Sequence, residues 1–352
     1  MTDTSVIEKD APPVEVPPAA RQPAAVTTIW FVVMAVALVA ACAASVAFGS
    51  RVVSLSEVFE ALTSEPEGIA ELAVRERLPR TALAVIVGGT LAVAGAVFQG
   101  VTRNPLADPG LLGISSGASL AVVIGFTFFG LQSPTTTIWV AIAGAAGAAT
   151  FVWLIGSMGR GGATPLKLAL AGAATWAALS SLISAILLPR IEILDRFRFW
   201  QIGGVGRGEW DRIVIVIPFF VVGLLLCFAM ARGLNALALG DDTAAGLGEH
   251  VTRTRLLAAL GAVVLSGAAT ASAGPIAFVG LVVPHLSRLV IGVDHRKLLP
   301  FSALAGATLL VTSDVVGRVI ARPTEVDVGI VTAFIGAPIF IWVIRRQKMR
   351  EL

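Results

Sequence analysis

An all-α polytopic membrane protein with about ten transmembrane helices is the fold class that this sequence predicts, and three observations carry it. Hydrophobic residues make up 56% of the 352 and charged ones only 14%, against roughly a quarter charged in an average soluble domain. The apolar residues fall in runs of about twenty, the length that crosses a hydrocarbon core of roughly 30 Å as a helix. Glycine, at 36 residues, is abundant in those runs beside alanine, which suits helices packed in lipid, where small side chains let backbones approach.

Taken in order, residues 1–27 are polar and carry Pro12, Pro13, Pro17, Pro18 and Pro23. Such a stretch cannot bury a core and reads as a disordered cytoplasmic tail. Ile29–Phe48 is too long for the apolar region of a signal peptide, and no basic segment precedes it, so it reads as an uncleaved first span. The ten spans lie near 28–48, 81–101, 111–131, 136–157, 167–188, 213–231, 255–273, 276–292, 299–320 and 328–344. They form one membrane domain over 28–346, with 347–352 a short cytoplasmic C-terminal tail. An even number of spans places both termini on one side. With the termini inside, Lys9, Lys167, Lys297 and Lys348 are all cytoplasmic, as the positive-inside rule favours. Eleven arginines, among them Arg51, Arg77, Arg80, Arg318 and Arg322, then face out. Snorkelling at helix ends accounts for several, and the remainder invite a functional explanation.

The segment from Arg77 to Gly117 joins a charged entrance, an uncharged span and a proline-broken turn. Leu83–Val101 has no charge over 19 residues. Beyond it Arg103, Asn104, Pro105, Asp108 and Pro109 interrupt the pattern, so the chain bends before Leu111 re-enters the membrane. Upstream, Val58, Phe59, Leu62 and Leu72 recur at helical intervals among acids, as amphipathic helices on the outer surface would. Trp200 and Trp210, after the fifth span, suit an interfacial belt. The longest cytoplasmic loop, 234–255, carries Leu237, Leu239, Ala244, Ala245 and Leu247 between Gly240 and Gly248, with Asp241 and Asp242 favouring a helix start. An amphipathic element with no span to cover needs a partner.

Catalytic signatures are weak. No G-x-x-x-x-G-K-[ST] occurs, so any ATP chemistry resides on another polypeptide. Gly113–Gly117 matches G-x-S-x-G, but a nucleophile elbow needs a strand before it, and small-residue packing is the preferred reading. Cys42 and Cys227 lie in apolar runs, as small buried hydrophobes do. His250, His285 and His295 have no ligand spacing, and no metal site or bound cofactor is expected. Asp314 is an acid well inside an apolar run, which makes it a proton site, an ion ligand or the partner of a cation. Gly274–Pro275 and Val283–Pro284 bracket a short eighth run, and Pro323 and Pro338 flank or interrupt the tenth; broken helices at membrane depth mark where a pathway could lie.

RLPRT, GAVFQ, NPLADPGLLGISSGAS, GPIAFVGLVVPHLSRL, DHRKLLP and GIVTAFIGAPIFIW together resemble the FecCD family, the membrane permeases of ABC importers for iron-siderophores, haem and vitamin B12. The match covers nearly everything after residue 75, in order. It implies the FecCD, or type II ABC importer, permease fold, with spans two to five and seven to ten as inverted halves. It implies a subunit that pairs with itself or a homologous permease in the cytoplasmic (inner) membrane and passes a ferric siderophore supplied by an external binding protein. A cytoplasmic ABC ATPase dimer carrying ATP-Mg would drive it, docked on Leu239, Gly240, Asp241, Asp242, Ala244, Leu247 and Gly248. The resemblance also implies binding-protein docking at Arg77, Arg80 and Arg318 and an inner gate around Thr164 and Pro165. The alternatives are an ion-gradient-driven secondary transporter that uses Asp314, or the same fold carrying haem or vitamin B12.

Overall fold

The computed structural model describes residues 23–51, 53–63, 68–159, 164–206 and 208–348. Most of the tail read over 1–27, most of 347–352, and Gly161–Ala163 lie outside the described residues. The chain runs through α1 (Ala24–Ala47), α2 (Leu55–Thr63), α3 (Ile69–Thr102), a 3-10 turn (Pro109–Leu112), α4 (Ile114–Phe128), α5 (Pro134–Ser157), α6 (Pro165–Leu187) and α7 (Ile191–Gln201). It continues through α8 (Trp210–Ala229), α9 (Ala231–Leu237), α10 (Asp241–Gly246), α11 (Val251–Ala273), α12 (Val279–Ile291), α13 (His295–Ile320) and α14 (Val328–Lys348). Each of the ten apolar runs lies on its own helix. Among the described residues seven of these helices are long and apolar enough to cross a membrane, while α4, α12 and the apolar part of α14, Val328–Trp342, are shorter.

The starts and stops follow local chemistry. Pro134 and Pro165 open α5 and α6, where a missing N–H costs nothing. The Asp294 carboxylate caps α13 by accepting the Arg296 N–H at 3.0 Å. Gly274 and Gly292 close α11 and α12 at φ 73° and 84°, values that a side chain would resist.

Two boundaries differ from the sequence reading. The second span was expected near residue 81, after separate surface helices, yet α3 starts at Ile69 and runs unbroken through Pro79 for 34 residues, or about 51 Å of helix. The acids of its first turns end the apolar run without ending the backbone hydrogen bonding, because hydropathy and helicity are different properties. Pro284 and Pro338 likewise sit inside α12 and α14. The break before the eighth span falls at Gly274–Phe278, where Gly274–Pro275 announces it, and Phe278 itself holds a left-handed φ of 68°.

Helix α3 is the centre. Within its most apolar window 83% of the residues are buried by protein, against 6% for α1. Helix α3 packs chiefly on α13, α11 and α12, while α4, α5 and α6 pack on one another. Glycines make the tightest of these contacts. A Cβ on Gly95 would stand 1.8 Å from the Gly280 carbonyl oxygen, one on Gly88 2.4 Å from that of Gly306, and one on Gly117 2.5 Å from that of Gly144. With no side chain between them the backbones touch, which is how lipid-embedded helices gain packing without hydrophobic drive. In G-x-S-x-G, Gly117 therefore serves the α4–α5 contact.

Candidate functional site

The turn after α3 builds the wall of a cavity of about 580 Å³. The Asn104 side chain accepts the Leu106 N–H at 2.9 Å, and Asp108 accepts the Gly110 N–H at 2.7 Å, two Asx turns that send the chain back toward α4. Leu106 and Asp108 face the cavity with Ser116, Trp176, Phe278 and Phe340, drawn from α4, α6, the α12 start and α14. The Ser116 hydroxyl is buried and has no hydrogen-bond partner among the described residues. The left-handed Phe278 lies over Gly336, whose missing Cβ leaves room for it at 2.4 Å. A bulky residue held in that backbone region is strained, and such strain gathers at functional sites.

At the end of the bundle where α1 stops, the basic residues turn inward. Asp314, 1% exposed, receives Nη2 of Arg80 at 2.7 Å and Nη2 of Arg318 at 2.9 Å. Arg80 also reaches Glu325 at 2.6 Å. Arg318, 1% exposed, donates to Ser45 Oγ at 2.6 Å and to the Ser45 and Phe48 carbonyls at 3.0 and 3.1 Å. Arg77, 6% exposed, donates to the Val46, Ala47 and Arg51 carbonyls at 2.9, 3.0 and 2.9 Å, and Arg322 to Gly49 at 2.9 Å. These carbonyls belong to the end of α1 and the turn after it, so three guanidiniums satisfy acceptors that have no helical partner and meet the negative end of the helix dipole. Arg77, Arg80 and Arg318 are thus brought together, and their donors point into the protein. A bidentate grip on a partner's carboxylate would require breaking these bonds.

Burial pushes the Glu325 carboxyl up, but the hydrogen bond and charge of Arg80, with help from Ser50, outweigh it and hold the group below its ordinary value. A folded value below the unfolded one adds stability above the unfolded value, which is lost as pH falls through the folded one. Thermal unfolding of Glu325→Gln beside the parent should therefore show a shallower decline from about pH 5 downward. Parallel declines would remove Glu325 from this account.

At the opposite end of the bundle the short helix α9 follows α8 directly, and α10 begins after a glycine at φ 111°, Gly240. The residues read as a single apolar face divide in two. Leu237 and Ala244 are fully buried and anchor the loop, whereas Leu239 and Leu247 are 62% and 67% exposed; Asp242, Ala245 and Gly248 are exposed as well. Asn235 ties α9 to α13, its amide donating to Asp294 Oδ1 at 2.6 Å and its oxygen accepting the His295 N–H at 2.9 Å and Nδ1–H at 2.8 Å. Asp241 takes Arg103 from the end of α3 and Arg255 from α11. Thr164 caps α6 by accepting the Lys167 N–H at 3.4 Å, and Lys167 Nζ donates to the Met158 carbonyl at 3.3 Å across the α5–α6 link.

Sequence reasoning missed the polar partners. Gln99 donates to the Gly280 and Leu281 carbonyls at 3.3 and 3.2 Å and accepts Arg288, pinning α12 to α3. The only signal was an amide within an uncharged run. No group of three or more His, Cys, Asp or Glu able to hold a metal occurs among the described residues.

The sequence profile of the FecCD transport family matches residues 37–346. The ferric enterobactin transport system permease protein FepD of Escherichia coli (strain K12) is 43% identical over 312 residues, 88% of this chain and 93% of that protein. The hemin transport system permease protein HmuU of Yersinia pestis is 40% identical over 295 residues, covering 81% and 86%. The Fe(3+)-citrate import system permease protein YfmD of Bacillus subtilis (strain 168) is 45% identical over 272 residues, covering 77% and 80%. A solved metal-chelate type ABC transporter in an inward-facing conformation superimposes with a TM-score of 0.79 at 29% identity, over 91% of this chain and 99% of that one. Ten apolar helices around a glycine-lined core, matched over most of their length by the family profile and by these permeases, make this chain a membrane permease of the FecCD transport family.

Proposed function

We propose that the chain is the translocating subunit of an ABC importer that carries a ferric siderophore across the cytoplasmic membrane, with both termini inside. It pairs with a second copy or a homologous permease, and the substrate passes along the face that holds the 580 Å³ cavity. An external binding protein delivers the substrate onto the outer platform over Arg77, Arg80 and Arg318, which shape that platform from beneath through α1 and Asp314. An ABC ATPase dimer holding ATP-Mg docks on Leu239, Gly240, Asp241, Asp242, Ala244, Leu247 and Gly248, and the Thr164–Pro165 junction serves as the inner gate. Enterobactin, citrate and hemin all appear in the names of the relatives; a siderophore is the cargo most in keeping with them.

The observation that carries the reading is the pair Leu239 and Leu247. Two large apolar side chains stand exposed on a loop that no span places in lipid, and such a surface needs a protein to cover it. Replacing Leu239 with Asp would bury an unpaired charge at that contact and cost about 3 kcal/mol, roughly a hundredfold in affinity. ATPase retained on the tagged permease should fall accordingly, and ATP-dependent uptake of a ferric siderophore into proteoliposomes with it. Undiminished co-purification would remove the loop from this role. The ion-driven alternative predicts uptake that collapses with an uncoupler at constant ATP, but a carboxylate already shared by two arginines offers no free site for a travelling ion.

A further inference from the structure

Among the described residues one ion pair, Arg103 with Asp241, links the cytoplasmic loop that would receive the ATPase to the turn that walls the cavity. Helix α3 ends at Thr102, and Arg103 takes a left-handed φ of 48° with its N–H on the Gly100 carbonyl at 3.3 Å. The next residues are fastened one after another. The Asn104 N–H binds the Gln99 carbonyl at 3.2 Å, the Asn104 carbonyl accepts the Ala107 N–H at 3.1 Å, and the Asn104 and Asp108 side chains close their own turns. Displacement of Arg103 therefore reaches Leu106 and Asp108 through short, bonded backbone. At the other end the Arg103 guanidinium pairs with Asp241, the first residue of α10.

Asp241 has a second partner. Nη2 of Arg255, on α11, lies 3.0 and 3.2 Å from its two oxygens. Without Arg103 the loop would still be held to the bundle, by Arg255 at Asp241 and by Asn235 at Asp294 and His295. It would lose its ion pair to the turn. The Arg103 and Asp241 side chains are 34% and 46% exposed, and a pair so exposed adds little to folding stability.

We propose that Arg103 is a positioning residue for transport, transmitting movement of the α9–α10 loop to the Asn104–Asp108 wall of the cavity. This rests on the transport reading above and adds a specific link within it. The full transporter, permease with its ATPase and binding protein, is reconstituted in proteoliposomes, and ATP hydrolysis and ferric-siderophore uptake are measured on the same preparation. Arg103→Gln should keep the ATPase bound and its hydrolysis rate unchanged while uptake per ATP falls about tenfold, the size of an ordinary coupling free energy between two sites. Arg103→Lys, which restores a cation, should recover most of that loss. Uptake per ATP equal to the parent in Arg103→Gln would overturn the proposal, as would loss of the ATPase from that variant, which would make Arg103 a docking residue. A Lys variant as poor as Gln would overturn the charge link. If the parent complex itself shows no ATP-dependent uptake, the transport reading fails instead.

Discussion

Asp314→Ala is expected to lower stability by about 3–5 kcal/mol, the cost of breaking a buried ion pair by removing one partner. The carboxylate is 1% exposed and stands between Arg80 and Arg318, one of them also 1% exposed. Its removal leaves two cations facing each other with Glu325 the remaining acid in contact with them, through Arg80. Asp314→Asn keeps the shape but not the charge, so it should fall between the parent and the Ala variant. Replacing Asp314, Arg80 and Arg318 together with apolar residues of similar volume should recover part of the loss, because no buried cation is then left without its acid. Thermal unfolding in detergent, with the yield of monodisperse protein, measures each step. A parental melting temperature for Asp314→Ala would refute the account. An Asp314→Asn protein that assembles normally yet transports nothing would instead favour the ion-driven alternative.

Gly95→Val should be comparably damaging for a steric reason. The first carbon of the new side chain would lie 1.8 Å from the Gly280 carbonyl oxygen, and the next nearest atoms, at 2.4 and 2.5 Å, are also backbone. No rotamer relieves a clash with main chain, so α12 must move away from α3, loosening the Gln99 bonds to the Gly280 and Leu281 carbonyls. Overpacking typically costs 1–3 kcal/mol when side chains can adjust, and about 3 kcal/mol or more is expected here. Gly147→Ala supplies the contrast. Nothing lies within 4 Å of its added carbon, and alanine in a helix should stabilise by up to about 1 kcal/mol. Melting temperatures of the two variants should therefore shift in opposite directions, and a Gly95→Val protein as stable as Gly147→Ala would show that the two helices are not in contact.

The ten apolar runs were legible because crossing a bilayer imposes a length and an absence of charge that one sequence displays directly. The extent of α3 was not, since Glu71, Arg75, Glu76 and Arg77 break the apolar run while the helix continues beneath them. The loop over 234–255 was legible in composition, but which of its leucines turn inward depends on the helices around it. The outer arginines were read as surface groups from their place at span ends. Arg80 finds Asp314 and Glu325, while Arg77, Arg318 and Arg322 find carbonyls at the end of α1, which have no side-chain signature. Arg103 with Asp241 and Gln99 with Arg288 are 138 and 189 residues apart in the chain, and nothing local to either residue announces its partner.

The bare backbone contacts of α3 also divide the labour of movement. A helix whose neighbours rest on its main chain through Gly88 and Gly95 can neither rotate nor slide without lifting them off, so it behaves as the stator of the machine. Helix α6, on the other side of the cavity, meets its neighbours through side chains such as Leu168 against Gly156 and can act as a vane. Spin labels or fluorophores meant to follow the transport cycle therefore belong on α6, measured against a reference on α3, whose position sets the zero from which every displacement is counted.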